Sequence, residues 1–174
     1  MKTTRITSGL AAAALLATGS IALAAPAGAT DTDAGTCATT ERWPESATGR
    51  PAAHPETDAV YVWHTGRGWR IRVNDPGADR AEFTGSVKVD GQVFAVGRHL
   101  ESGAEGVVNA GAHAAYFRFV NFGGVDGLNF KTRCSTTFVL TVKRNGVAVP
   151  ADHVYVGATG QHPTSIPLTI QRTA

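Results

Sequence analysis

The sequence lacks the short motifs that mark most hydrolases and metalloenzymes. It has no G-x-S-x-G motif, so the nucleophile elbow of a serine hydrolase is missing. Its six histidines are never spaced as H-x-H, H-x-x-x-H or H-E-x-x-H, and the sequence therefore predicts no metal site and no cofactor. These absences exclude only sites built from neighbouring residues, because histidines on separate strands can still meet in a fold.

Clustered positive charge is also missing. The 16 Lys and Arg fall to 14 once Lys2 and Arg5 leave with a signal peptide, and 14 equals the number of Asp and Glu. No run of four or more basic residues occurs in the chain. A neutral domain has no long-range field that gathers phosphates, so nucleic acid is excluded as the expected partner.

Cysteine is scarce, with only Cys37 and Cys134. An even count in an exported chain predicts one disulfide between them. A closed loop of roughly 100 residues stabilises a fold by about 4–5 kcal/mol at most in the chain-entropy model. The alternative is a pair of free thiols that bind metal, but no C-x-x-C spacing favours it.

The N-terminus has the pattern of a secretory signal peptide over residues 1–29. Lys2 and Arg5 precede an alanine-rich apolar stretch, and small residues follow in an A-x-A arrangement. We expect cleavage after Ala29, with Ala24 and Ala25 as alternatives, and secretion to the extracellular medium. The stretch is short for a membrane span, so an uncleaved anchor is the less favoured interpretation.

Two segments follow the signal peptide. Residues 30–57 are rich in Thr, Ala and Pro and have no apolar periodicity, which predicts a disordered tail pinned by Cys37. Residues 58–174 are long enough for one domain with a single core.

The domain is predicted to be all-β because its apolar residues alternate. Trp69, Ile71 and Val73 share one face of a predicted strand, with Arg70 and Arg72 on the face expected to meet water. The runs 81–90, 136–144 and 165–172 alternate in the same way. The expected fold is an antiparallel β-sandwich, immunoglobulin-like in architecture only, with a small β-barrel as the alternative.

Glycine-rich dipeptides and one glycine cluster predict turns. Asp90-Gly91 and Asn145-Gly146 are typical of two-residue hairpins. The cluster at 123–127 lies between two strand-like runs with no helix after it, which favours a hairpin loop over a phosphate cradle. We expect Gly127 to hold a positive φ. Asn121, Asp126 and Asn129 offer calcium too few carboxylates.

A ligand surface, if present, is predicted around the run 61–69, where aromatic and basic residues are dense. Ring stacking and bidentate hydrogen bonds from these side chains suit sugars or small anions. Core packing of the tryptophans is the alternative interpretation. The candidate ligand-binding residues are Tyr61, Trp63, His64, Arg67, Arg70 and Arg72.

A hydrolytic site would need carboxylates from separated positions. Glycoside hydrolysis uses a pair of them, and the sequence does not indicate which two would meet. The candidates are Glu56, Asp58, Asp75, Asp79, Glu101 and Glu105. No catalytic residue is therefore predicted.

The runs VYVWHTGRGWRIRV, FRFVNFGGVDGLNF and VYVGATGQHPTSIPLTIQR resemble exported, uncharacterised β-domain proteins of high-GC actinobacteria. The excess of arginine over lysine fits that origin. The resemblance implies an exported β-domain and carries over no function.

The sequence therefore favours a secreted, non-catalytic binding or interaction module with no membrane anchor after cleavage. Its expected partner is a cell-surface glycan, cell-wall component or protein. A small secreted hydrolase built from separated His and Asp/Glu residues is the alternative, and a protease inhibitor is the third interpretation.

Overall fold

Eleven strands make up most of the part of the domain that the structure describes. The computed structural model describes residues 42–55, 57–77, 80–101, 105–121 and 123–173. The strands are β1 (Ala59–Thr65), β2 (Gly68–Asp75), β3 (Ala81–Val89), β4 (Gln92–His99), β5 (Glu105–Ala110), β6 (Ala114–Asn121), β7 (Gly124–Arg133), β8 (Thr137–Arg144), β9 (Val147–Ala148), β10 (Val154–Val156) and β11 (Leu168–Gln171). Two 3₁₀ turns, Glu45–Ala47 and Ala151–His153, complete the regular elements.

These strands form two packed sheets, which confirms the predicted β-sandwich. One sheet has the order β10-β1-β2-β7-β4 and the other has the order β11-β8-β3-β6-β5, with β9 paired to β8. Over the described residues neither sheet closes into a barrel. The pairing is antiparallel except between β1 and β10, where Val60 faces Val154 in a parallel register.

The core lies between the sheets and follows the predicted alternation. Trp69, Ile71 and Val73 of β2 are fully buried, as are Phe138 and Leu140 of β8. The Trp69 and Phe138 rings stack with centroids 4.1 Å apart. Burying side chains of this size supplies the main favourable term in folding, at about 25 cal/mol per Å² of apolar surface.

The prediction of a disordered tail over residues 30–57 is wrong from residue 42 onward. Trp43 is 6% exposed, and Ala47 is 1% exposed in the 3₁₀ turn. The chain then crosses the outer face of the five-stranded sheet, where the Tyr61 hydroxyl accepts a hydrogen bond from the His54 amide at 2.7 Å. The alternation pattern missed this segment because residues 50–55 and 57 pack as an irregular strap, with no strand among them.

The two predicted turn dipeptides have different outcomes. Asn145 and Gly146 have φ of 49° and 80° and link β8 to β9 as predicted. Asp90-Gly91 does not close a hairpin, because β3 and β4 belong to different sheets. The Asp90 carboxylate instead accepts hydrogen bonds from the amides of Thr136 and Thr137 at 2.9 and 2.8 Å.

The prediction of a hairpin loop over residues 123–127 is also wrong. Strand β7 already begins at Gly124, and the connection from β6 crosses from one sheet to the other. Positive φ occurs at Gly123 and Gly124, at 105° and 88°, but not at Gly127. Gly127 is required for another reason: a Cβ there would overlap the carbonyl oxygen of Ile71 on β2.

The predicted signal peptide, the first part of the predicted tail and Cys37 all lie outside the described residues. The Cys37–Cys134 disulfide and cleavage near Ala29 therefore stay predictions. Within the described part of the chain, no helix is both long and apolar enough to cross a membrane.

Candidate ligand-binding site

The aromatic and basic run 61–69 is divided between two faces of the five-stranded sheet. Trp69 and His64 point into the sandwich, where the His64 ring lies 5.2 Å from Trp69 and 6.1 Å from Trp43. Tyr61 and Trp63 belong to a separate cluster on the outer face, together with Ala59. Because neighbouring residues of a strand point to opposite faces, these side chains do not form one surface.

The aromatic rings of the outer face are not open for stacking. Tyr61 is 6% exposed and Trp63 is 7% exposed, since the strap covers them. A cavity of about 60 Å³ remains between the strap and the sheet. We name this space the outer-face cavity. The residues that line it are Arg50, Pro51, Ala53, Pro55, Tyr61, Trp63, Arg72, Asn74 and Val125.

Arg72 was expected to face water and is instead buried in this cavity. Its side chain is on the predicted face, but the strap encloses it to 9% exposure. Nη1 donates to the carbonyls of Ile71 and Leu128 at 2.8 and 3.0 Å, and Nη2 donates to Asn129 Oδ1 at 2.8 Å. All three acceptors are uncharged.

The buried position of Arg72 changes the pKa of its side chain. Burial, reinforced by the positive charges of Arg70 and Arg50, lowers the pKa of Arg72 to about 10. The guanidinium stays protonated at neutral pH, although its charged form is less favourable here than it is in water. No carboxylate among the described residues forms an ion pair with it.

Trp63 lies beside two guanidinium groups. The Cζ atoms of Arg72 and Arg50 are 5.6 and 6.0 Å from the centre of its ring. Both distances fall within the range of a cation–π contact. Arg50 is exposed, and within the described ranges no side chain or backbone group pairs with it through a hydrogen bond or ion pair.

The remaining polar groups of the cavity hold the strap in place. Asn74 Nδ2 donates to the carbonyls of Thr57 and His54 at 2.8 and 3.2 Å. The Tyr61 ring stacks on Tyr155 with centroids 5.6 Å apart, and Tyr155 stacks on His54 at 4.2 Å. These contacts fix the cavity wall, so the cavity is preformed.

Arg67 and Arg70 lie elsewhere on the hairpin. Arg67 is exposed in the two-residue turn between β1 and β2, where its amide donates to Thr65 Oγ1 at 3.2 Å. Arg70 is half-buried and donates to its neighbour's carbonyl, that of Trp69, at 3.1 Å. Neither residue lines the outer-face cavity.

A second cavity, named here the end cavity, lies beside the start of β1 and the β8–β9 turn. Its volume is about 370 Å³, and Asp58, Arg144 and His153 line it with Phe83 and Val149. Arg144 Nε lies 3.1 Å from Asp58 Oδ2, and its Nη2 lies 3.4 Å from Oδ1 of the fully buried Asp75. Burial and the hydrogen-bonded Asp75 raise the pKa of Asp58 against the opposing charge of Arg144.

The structure therefore brings together two of the candidate carboxylates, Asp58 and Asp75. Glu105 is instead paired with Arg80 at 3.0 Å on the surface, and the Glu101 amide donates to Asp126. Glu56 and Asp79 lie outside the described residues. Burial raises the pKa of Asp126.

A calcium site at 121–129 is not formed by the side chains that the structure describes there. Asp126 is buried beside Val73 in the register of β2 and β7, whereas Asn129 lies on the opposite face against Arg72. Among the described residues no group of three or more His, Cys, Asp or Glu side chains is placed to hold a metal.

Arg50 and Tyr155 were missed as candidate residues for different reasons. Arg50 lies in the irregular strap, where no sequence pattern indicates which side chains return to the sheet. Tyr155 stands between Val154 and Val156, which are both buried, so alternation alone predicts that it faces outward. Its position beside β1 depends on the parallel pairing, which the sequence does not indicate.

Comparison with known proteins adds no family assignment. No protein-family model, curated protein or solved structure matches the chain.

Proposed function

We propose that this chain is a secreted, non-catalytic β-sandwich module that binds an extracellular ligand in its outer-face cavity. The observation that supports the proposal is Arg72: a guanidinium buried to 9% exposure with no carboxylate partner among the described residues. Burying an unpaired charge is costly, so proteins rarely retain one without a role.

The ligand class that fits best is a glycan or a cell-wall component. The walls combine buried aromatic rings with guanidinium groups, and guanidinium groups bind the polar substituents of sugars by forked hydrogen bonds. The cavity is small, so it would hold one substituent or one edge of a sugar ring while the rest of the ligand stays outside. The expected export of the chain places it where such ligands occur.

A pull-down with glycans and purified cell walls tests this proposal. Mature protein beginning at Thr30 is compared with the Arg50→Gln variant, which removes an exposed cavity charge that has no described polar partner. The matched control is Lys88→Gln, which removes one positive charge from the exposed outer face of the other sheet. We expect retention by wild type and Lys88→Gln and weaker retention of Arg50→Gln. Equal retention of all three proteins would contradict the proposed site.

A small hydrolase is the second candidate, because Asp58, Arg144 and His153 line the end cavity and the buried Asp75 lies behind them against Arg144. A carboxyl group with a raised pKa beside a cavity is a candidate general acid. The test is turnover of polysaccharide and peptide substrates by wild type and Asp58→Asn, with the exposed Asp152→Asn as the control. Activity lost only in Asp58→Asn would favour the enzyme over the binding module.

Protease inhibition is the third candidate. Its support is limited to the exposed Gly66-Arg67 turn, braced by a hydrogen bond from Thr65 Oγ1 to the Gly68 carbonyl at 3.0 Å. Inhibition of a trypsin-like protease that is lost in Arg67→Ala would support this function.

A further inference from the structure

The guanidinium of Arg72 keeps part of its donor capacity for a ligand. An arginine side chain carries five N–H groups. Three of them are used by the carbonyls of Ile71 and Leu128 and by Asn129 Oδ1. The Nε–H and one N–H of Nη2 have no acceptor among the described residues. Adjacent Nε and Nη groups form the planar fork that matches the two oxygens of a carboxylate.

The size of the outer-face cavity limits which anion can enter. Its volume is about 60 Å³, and roughly 10–15 Å³ of such space is enough to hold one water. A planar carboxylate fits this space, and its two oxygens match the remaining fork. A tetrahedral phosphate or sulfate carries further oxygens, and these would face the apolar wall that Pro51, Ala53 and Val125 form.

The charges around the cavity favour an anion over a neutral group. Arg50 and Arg70 both lower the pKa of Arg72 by repulsion, so a bound negative charge would relieve that repulsion. Arg50 is exposed beside Trp63 and is free to fold over an entering group. The indole of Trp63 and the phenol of Tyr61 form part of the lining around the entering carboxylate.

We propose that the outer-face cavity takes the carboxylate of an acidic sugar, such as a uronic acid residue of a polysaccharide. The carboxylate binds the Nε and Nη2 fork of Arg72, Arg50 neutralises it from the solvent side, and the sugar ring stays outside the cavity mouth. This inference rests on the binding function proposed above and names its ligand class.

Isothermal titration calorimetry with paired ligands separates this inference from the function itself. The probes are an oligogalacturonate and the neutral galactan oligosaccharide of the same length. We expect the acidic oligosaccharide to bind at least tenfold more tightly than the neutral one, and its affinity to fall as salt rises. Arg50→Gln should reduce this preference severalfold, and Lys88→Gln should leave it unchanged.

Arg72→Lys tests the fork directly, because lysine keeps the charge but loses the planar donor pair. We expect the acidic preference to fall more than tenfold while circular dichroism shows a folded β-protein. If this variant fails to fold, the Arg50→Gln result decides the proposal.

Three results would overturn the inference. Equal affinity for acidic and neutral oligosaccharides would exclude the carboxylate while leaving glycan binding intact. Competition by inorganic phosphate at the same concentration as galacturonate would show an unspecific anion site. Binding to neither oligosaccharide would exclude this ligand class, and retention by cell walls in the pull-down would then decide whether the binding function survives.

Discussion

Trp43 meets Trp69 edge to face, with ring centroids 4.8 Å apart and planes inclined at 70°. Trp69 belongs to the predicted core strand, whereas Trp43 lies in the segment that composition assigned to a tail. The contact joins the two, so the segment before β1 supplies part of the hydrophobic core.

Removal of Trp43 should therefore destabilise the whole domain. Truncating a buried tryptophan to alanine costs about 3–5 kcal/mol through lost transfer free energy and the cavity left behind. We expect Trp43→Ala to lower the free energy of unfolding by that amount in urea denaturation. Val147→Ala is the matched control, because Val147 is 71% exposed and should change stability by no more than about 0.5 kcal/mol. A Trp43→Ala protein as stable as the control would show that the contact contributes nothing.

Gly127 and Gly97 provide a paired test of close backbone approach. An added Cβ at Gly127 would overlap the Ile71 carbonyl on the neighbouring strand, whereas at Gly97 it would meet no atom within 4 Å. We expect Gly127→Ala to cost about 2–3 kcal/mol or more, since neither backbone can move without losing ladder hydrogen bonds. Gly97→Ala should be neutral or stabilising by up to about 1 kcal/mol.

Thermal denaturation of the two glycine variants distinguishes this explanation from a general effect of replacing strand glycines. Equal losses of stability at both positions would rule out the steric contact as the cause. A specific loss of ligand binding in Gly127→Ala without any loss of stability would return the glycine cluster to the candidate binding residues.

Asp90 should make the domain sensitive to acid. Burial opposes its ionisation, but hydrogen bonds from Thr136 and Thr137 outweigh that effect and lower the pKa of Asp90 to about 2. A carboxyl with a lowered folded pKa stabilises the fold fully above the unfolded value of 3.8, and the stabilisation is lost as pH falls from about 4 towards 2. Because Asp90 is exposed, we expect its share to be about 1 kcal/mol.

Urea unfolding at pH 6, 4 and 2.5 measures this effect. Asp90→Asn should be less stable than wild type at pH 6 and should lose less stability between pH 4 and 2.5. Asp152→Asn, at an exposed aspartate of the 3₁₀ turn, should follow the wild-type profile. Parallel pH profiles for wild type and Asp90→Asn would show that the Asp90 carboxylate is not the source of the loss of stability in acid.

The predicted Cys37–Cys134 disulfide is best tested on protein produced by its own host. Intact mass after alkylation without reduction should show no alkylated cysteine, and reduction should lower the melting temperature. Removing a disulfide from a small secreted domain typically costs about 2–5 kcal/mol. Two alkylated cysteines before reduction would exclude the bridge and restore free-thiol chemistry.

The strands and the inward faces could be predicted because alternation is a local signal. Trp69, Ile71 and Val73 lie in the core where the pattern placed them. The sheet partners were not predictable in the same way: Asp90-Gly91 has the residues of a hairpin, yet it joins strands of different sheets. A turn dipeptide specifies local dihedral angles, whereas the partner of each strand depends on contacts far away in the sequence.

The candidate site could likewise be predicted only in part. Six residues were predicted to form one ligand surface, and only Tyr61, Trp63 and Arg72 of them line the outer-face cavity. The sequence did not indicate that the strap would cover them, because proline-rich chain without periodicity has the composition of a linker whether or not it packs. Burial of Arg72, which carries the functional proposal, is therefore a property of the assembled fold.

The parallel pairing of β1 with β10 has a consequence for the timing of folding. Val60 finds its partner Val154 only after nearly the whole domain has been synthesised. Contacts between distant segments must overcome loop-closure entropy first, and folds that depend on them form slowly. Until residues 154–156 are available, β1 lacks its parallel partner on that edge, so a nascent chain that has not yet reached them cannot complete the five-stranded sheet.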